Sequence, residues 1–222
     1  AIDVNCACAG FVYGFDMARR YLATDEKLKY AVVVANENLT KITDYSDRST
    51  CVLFGDGAAA CILKLVDNSF YSSFLGADGT GACRLFARSI QPDNAFMPEN
   101  KKDYPDGFPE GNGHYLYQDG KEVYKFAIKA LPFAVENALK GTGLSIEDID
   151  LIIPHQANIR IIETAAQRFG VSMDKMYINL EKYGDTSSAS IPLALDEAIK
   201  AGRIRDGDKV CLVGFGAGLT YG

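Results

Sequence analysis

Ile2-Asp-Val-Asn-Cys-Ala-Cys-Ala-Gly10 and Tyr177-Ile-Asn-Leu-Glu-Lys-Tyr-Gly-Asp-Thr-Ser-Ser-Ala-Ser190 are the two stretches that decide the fold. Each runs from a short apolar stub through a turn to small residues at the head of an amphipathic run. Each is followed, at similar spacing, by an apolar run rich in β-branched residues: Lys29-Tyr-Ala-Val-Val-Val34 after the first, Lys209-Val-Cys-Leu-Val213 after the second. Two strand–turn–helix–strand units at matched spacing predict two similar halves around a shared core. Strands alternating with helices predict an α/β fold whose sheets are buried under helices. In folds of that class, reactive groups sit where strands turn into helices.

Outward from these units, residues 2–6 read as a short buried strand and residues 11–22 as an amphipathic helix. Further strands are expected at residues 30–35, 50–54, 58–65, 70–75, 149–153, 176–180 and 209–213. Gly55-Asp56-Gly57 marks tight packing at a turn between two of them. Helices are expected at residues 120–140, 156–169 and 187–201. Pro132 should kink or break the first, and Gly170 and Gly202 should close the others. Residues 78–119 are rich in Gly, Pro, Asn and Asp and predict a long irregular excursion. A strand-like start and a stop at Gly218-Leu-Thr-Tyr-Gly222 point to a fragment trimmed at both ends. Such a piece would expose sheet edges and apolar faces and would be poorly soluble or inactive alone.

About half of the 222 residues are apolar, enough to build a packed core. The formal charge of −6 argues against a nucleic-acid binder. No apolar run reaches the roughly 18 residues of a membrane span, and the N-terminus carries no basic leader. Six scattered cysteines fit a reducing cytoplasm better than a disulfide framework. Cys51, Cys61 and Cys211 fall in strand-like runs and read as buried thiols.

Four places carry candidate chemistry. Cys8 lies among small residues just before a helix, where the helix N-terminus favours a thiolate; it reads as a nucleophile or as an inert buried thiol. His155, after an apolar run and before a helix, is a candidate acid or base or a structural histidine. Gly184-Asp185-Thr186 occupies the turn that matches the Cys8 turn, although Asp and Thr there also make ordinary helix caps. Gly214-Phe-Gly-Ala-Gly218 offers backbone N–H groups that could approach a substrate closely. Cys6 and Cys8 lack a matching Cys or His pair at zinc-finger spacing, and no metal is expected.

Together these stretches resemble the type III 3-oxoacyl-[acyl-carrier-protein] synthases of bacterial fatty-acid synthesis. The resemblance rests on Asp3-Val-Asn-Cys-Ala-Cys-Ala-Gly-Phe11, on Asp47-Arg48 followed by Phe54-Gly-Asp-Gly-Ala58, and on Pro154-His-Gln-Ala-Asn158. It continues through Tyr183-Gly-Asp-Thr-Ser-Ser-Ala-Ser190, Leu195-Asp-Glu-Ala198 and Gly214-Phe-Gly-Ala-Gly-Leu-Thr220. It implies a thiolase-like fold of two pseudo-symmetric halves with mixed sheets and helices. Residues 1–67 would be the later part of the first half and residues 68–222 the second. Roughly the first hundred residues of a full-length enzyme and its last strand would be absent.

The resemblance also implies roles. Cys8 would take an acetyl or other short acyl group from an acyl-coenzyme A. His155 and residue 185 would assist decarboxylation of malonyl-acyl carrier protein, whose carbanion attacks the acyl-Cys8 thioester. Backbone N–H groups of Cys8 and Ala217 would form the oxyanion hole. Arg48, Gly120, Asn158 and Phe215 would contact substrate. Arg160 would contact the acidic acyl carrier protein, and charge complementarity adds Arg168, Lys125 and Lys129 to that surface. The full-length enzyme would be a cytoplasmic homodimer with no cofactor and no metal. One position departs: the family pattern is Gly-Asn-Thr-Ser, and here it reads Gly184-Asp185-Thr186-Ser187. Two alternatives follow, a Cys-His-Asp acyltransferase that moves an acyl group to a hydroxyl without condensation, and an inactive fragment.

Overall fold

The computed structural model describes residues 1–67, 70–87, 108–109 and 115–222. In chain order the elements are α1 (Gly10–Thr24), β1 (Ala31–Asn38), β2 (Asp56–Leu63), β3 (Gly76–Ala77), β4 (Leu85–Ala87), β5 (Leu116–Gln118), α2 (Gly120–Leu139), β6 (Leu151–Pro154), α3 (Ile159–Phe169), α4 (Leu180–Tyr183), α5 (Ser190–Lys200), β7 (Val210–Val213), β8 (Phe215–Gly216) and β9 (Thr220–Tyr221).

β6 and β7 pair in parallel, from Leu151 with Val210 to Pro154 with Val213. Every residue of β6 is buried, and its two faces feed two clusters. Ile152 joins Leu131 of α2, Ile162 of α3 and Val213 in the first. Leu151 and Ile153 join Phe11 of α1, Val33 and Ala35 of β1, and Ile191 and Ala194 of α5 in the second. A strand buried on both sides carries no polar alternation, and Leu-Ile-Ile-Pro has none. β1 and β2 form an antiparallel ladder from Ala31 with Leu63 to Asn38 with Asp56. β3, β9 and β8 form a short antiparallel sheet, and β4 pairs with β5.

Several sequence expectations are corrected. Residues 1–5 are exposed and form no strand; no described residue supplies a ladder partner. Residues 50–54 wind into turns because Asp47 gathers the Thr50 and Cys51 N–H groups on its carbonyl and Ser49 on its carboxylate. Cys51 therefore lies partly buried in a turn, and Cys61 and Cys211 are also only partly buried. Residues 70–75 are held by side chains instead of a ladder: Tyr71 and Ser73 donate to Asp16 of α1, and Ser72 donates to the Ala138 carbonyl of α2. At residues 176–180 a single bridge joins Met176 to Ile152. Buried Gln156 takes the next places, donating to the Tyr177 carbonyl and accepting from Asn179 N–H.

α2 runs through Pro132 without a break, with Leu131, Ala134 and Val135 packed in the core around it. That burial offsets a cost of roughly 3 kcal/mol for an interior proline. α3 starts three residues later than expected, because Asn158 caps it and accepts from Arg160 N–H at 2.9 Å. Gly170 closes α3 at φ 71°. Of the excursion expected at residues 78–119, residues 88–107 and 110–114 lie outside the described residues. Its described ends are ordered as a 3-10 turn at Gly79–Arg84 and the β4–β5 pair.

Candidate active site

Three turns converge. Cys8 lies in a 3-10 turn, Ala7–Ala9, that runs directly into α1. Ala7 opens the turn at φ 46°. A second 3-10 turn, Ser187–Ala189, runs into α5 in the same way, and Ser187 opens it at φ 50°. The residue two places before each turn caps it: Asn5 Oδ1 accepts from Ala7 N–H at 3.2 Å, and Asp185 Oδ1 accepts from Ser187 N–H at 2.8 Å. The turns pack on each other, with Gly10 against Ser188. His155 follows β6 and is held by its N–H to the Val213 carbonyl at 2.8 Å.

The side chains of Cys8, His155 and Asp185 are all buried, and one ligand-type atom from each lies within 4.8 Å of the others. His155 Nδ1 is 2.7 Å from Ser190 Oγ, which leaves Nε2 to face Asp185 Oδ2 at 3.5 Å. Burial alone works to lower the His155 pKa. The charges and hydrogen bonds of Asp185 and Cys8 outweigh it and raise the pKa to about 10. Phe215 stands edge-on to the imidazole at 5.4 Å between centroids.

Backbone contacts fix the residue 185 turn. Asp185 N–H donates to the Leu53 carbonyl at 2.9 Å, and Gly55 N–H donates to the Asp185 carbonyl at 2.8 Å. A Cβ on Gly55 would lie 2.4 Å from the Tyr183 carbonyl oxygen, the tight packing its sequence suggests, although Asp56 and Gly57 begin β2 and are not a turn between strands. Gly216 does the same for the Cys8 turn: a Cβ there would lie 2.6 Å from Cys8 N.

The trio opens onto a cavity of about 620 Å³. Ala217, Phe215, Gly120 and Asn158 line it. Arg48 is exposed on the turn beside Ser49, which does line it. Arg160 and Arg168 are exposed on α3, and Lys125 and Lys129 on α2. Lys125 is paired with Glu122 at 2.7 Å, which reduces its free charge. Sequence reading missed two residues of the site. Ser190 holds His155 Nδ1, and Glu37 of β1 accepts from the N–H and hydroxyl of Ser188. Ser190 stood in the small-residue run at the head of α5, but nothing in its spacing pointed to a histidine 35 residues away.

Residues 2–88 match the profile of 3-oxoacyl-[acyl-carrier-protein (ACP)] synthase III, and residues 139–222 match the profile of its C-terminal part. The chain belongs to the 3-oxoacyl-[acyl-carrier-protein] synthase III family. It is 47% identical over 221 residues to beta-ketoacyl-[acyl-carrier-protein] synthase III of Clostridium acetobutylicum, covering 99% of this chain and 65% of that protein. It is 46% identical over 224 residues to the enzyme of the same name in Oceanobacillus iheyensis, covering 100% of this chain and 64% of that protein. Among solved structures it is similar to beta-ketoacyl-[acyl carrier protein] synthase III of Thermus thermophilus, with a TM-score of 0.89 and 43% identity over 100% of this chain and 65% of that one. The chain thus spans less than two thirds of the length of these synthase III relatives. The fold is thiolase-like, with mixed α/β content as the sequence predicted.

Proposed function

We propose that the protein loads a short acyl group from acyl-coenzyme A onto Cys8 and condenses it with malonyl-acyl carrier protein, releasing CO₂, to start fatty-acid synthesis. The observation that carries this reading is the convergence of Cys8, His155 and residue 185 on one cavity at the heads of α1 and α5.

In the first half-reaction the Cys8 thiolate attacks the acyl thioester carbonyl and coenzyme A leaves as the thiol. The N–H groups of Cys8 and Ala217 would hold the oxyanion. In the second, decarboxylation of the malonyl thioester yields a carbanion that attacks acyl-Cys8, and the Cys8 thiolate leaves. His155, with its raised pKa, would present an Nε2–H donor to the thioester oxygen on which negative charge builds. Thiol, acyl group and malonyl unit balance both steps without an added cofactor. The edge-on Phe215 would shield the acyl-Cys8 thioester. Gly120 and Asn158 would line the path of the pantetheine arm, with Arg48 beside the nucleotide end. The acidic carrier protein would dock on α3, where Arg160 and Arg168 stand exposed two turns apart, next to Lys125 and Lys129 of α2. Residues 1–67 and 68–222 would belong to the two halves of the thiolase-like fold.

Transfer to a hydroxyl would need a relay in which the carboxylate binds one ring nitrogen and the nucleophile faces the other. Here Ser190 takes Nδ1, so Asp185 approaches Nε2. That arrangement favours condensation over a nucleophile–His–Asp relay. The test is mass analysis of the purified protein after incubation with acetyl-coenzyme A. An acetyl adduct on the Cys8 peptide, absent in Cys8→Ala, is expected; an adduct on another cysteine would overturn the assignment.

A further inference from the structure

An aspartate at position 185 gives this chain a set of ligands that an amide would not. Cys8 Sγ, a His155 ring nitrogen and an Asp185 carboxylate oxygen lie within 4.8 Å of one another, and His155 Nε2 stands 3.5 Å from Asp185 Oδ2. Zinc bonds of about 2.0–2.3 Å in a tetrahedron place neighbouring ligand atoms roughly 3.3–3.6 Å apart. The His–Asp edge already has that length. Three protein ligands with an open fourth position is the pattern of an accessible zinc site, and the open side here is the cavity.

The surroundings suit a metal as well. Ser190 Oγ beside Nδ1 can accept the Nδ1–H and so direct the Nε2 lone pair at the site. Ser187 N–H occupies Asp185 Oδ1 and leaves Oδ2 for a cation. A thiolate, a carboxylate and a neutral imidazole carry two negative charges, which a divalent cation neutralises in a buried place. Local Cys spacing argued against zinc because it looks along the chain, whereas these ligands come from three separate turns.

We propose that Cys8, His155 and Asp185 bind one thiophilic divalent cation, zinc or cadmium, in competition with acylation of Cys8, so that the ion inhibits the site and takes no part in its reaction. Coordination releases to solvent the His155 Nε2 proton and any proton on the Cys8 thiol, and changes no oxidation state. The word acylation rests on the function proposed above; the binding itself does not.

The experiment uses cobalt(II) as the probe. Titration of the metal-free protein is expected to give a thiolate-to-cobalt charge-transfer band and strong tetrahedral ligand-field absorption, saturating at a single equivalent and reversed by zinc. Asp185→Asn, which keeps the shape of the side chain, should weaken binding at least about tenfold, and Ser190→Ala, which keeps all three ligands, by about 10–100-fold. Circular dichroism and melting curves check that both variants are folded. In parallel, mass analysis of acetyl loading should show zinc blocking the Cys8 adduct and a chelator restoring it. Absence of the charge-transfer band, or binding as tight in Asp185→Asn as in wild type, would overturn the site. Cobalt binding with no acetyl adduct in metal-free protein would leave the metal site standing and refute the acyl-enzyme instead.

Discussion

Asp185→Asn restores the residue that the resemblance to type III synthases implies at this turn. The substitution is nearly isosteric, and the structure fixes how the amide would sit. Ser187 N–H donates to Asp185 Oδ1 at 2.8 Å, so the amide oxygen takes that place and the NH₂ takes the place of Oδ2, beside His155 Nε2. An acceptor facing the cavity becomes a donor. One preorganised donor to a developing oxyanion is worth roughly 3–4 kcal/mol, or 10²–10³ in rate. The change also removes a negative charge from His155. An opposite charge shifts a pKa by about 1–3 units, and the His155 value starts at about 10, so the imidazolium persists near neutral pH. The donor gain therefore dominates. Malonyl-carrier-protein decarboxylation, followed as CO₂ release, should rise by about 10²–10³, while acetyl loading, followed by intact mass, stays close to wild type. Unchanged or slower decarboxylation with intact loading would refute the argument that position 185 lacks a donor.

Three further outcomes follow from the geometry. The chain has only two histidines, so NMR can resolve them; the His155 imidazolium should persist to pH about 10 and titrate lower in Asp185→Asn. Because its folded pKa is raised above the ordinary 6.5, its contribution to stability is fully present below that value and is lost as pH rises toward about 10. The melting temperature should fall across that interval, and a flat profile would contradict the charged pair. Gly216→Ala places a methyl 2.6 Å from Cys8 N, which should cost about 1–3 kcal/mol of stability and slow acetyl loading through displacement of Cys8; a variant with unchanged loading would show that the β8 contact does not position the nucleophile. Arg160→Glu should raise KM for the carrier-protein substrate and spare loading from acetyl-coenzyme A, whereas equal damage to both steps would assign Arg160 a structural role.

The sequence made some things legible and hid others for physical reasons. Cys8, His155 and Asp185 were readable because turns that lead into helices mark themselves with small residues and glycine, and helical periodicity locates the helices that follow. The helices stayed in place to within about three residues at their ends, since each carries its own hydrogen bonds and its own amphipathic stripe. The strands expected at residues 30–35, 58–65, 149–153 and 209–213 also formed, whereas those at 2–6, 50–54, 70–75 and 176–180 did not. Residues 70–75 and 176–180 have strand composition, yet their backbone or side-chain partners are Asp16 and Gln156, polar groups far away in sequence. A ladder is a property of pairs of segments, and a single segment does not disclose its partner. Ser190 and Glu37 were hidden for the same reason: each acts through a contact that spans 35 or 151 residues.

Why the fold tolerates an aspartate at the centre of the proposed site follows from the internal repeat. Asn5 and Asp185 hold equivalent places, two residues before Ala7 and Ser187, the residues that open the two 3-10 turns at φ 46° and 50°. A non-glycine residue in that region is strained by roughly 1–3 kcal/mol and needs its surroundings to hold it. In both halves a side-chain oxygen does so by accepting the N–H of the strained residue, from Asn5 in one and from Asp185 in the other. An amide and a carboxylate both offer that oxygen, the carboxylate with the shorter bond here, 2.8 Å against 3.2 Å. The structural task at position 185 uses Oδ1, and the chemical task proposed for it would fall on the other branch of the side chain, the one facing His155. Exchange of Asp for Asn at this position should therefore keep the turn while it changes what the site can donate; the stability it loses should be that of the His155–Asp185 pair, present near neutral pH and fading as pH rises toward about 10, and a loss equally large at pH about 10 would show that the two tasks are not separable.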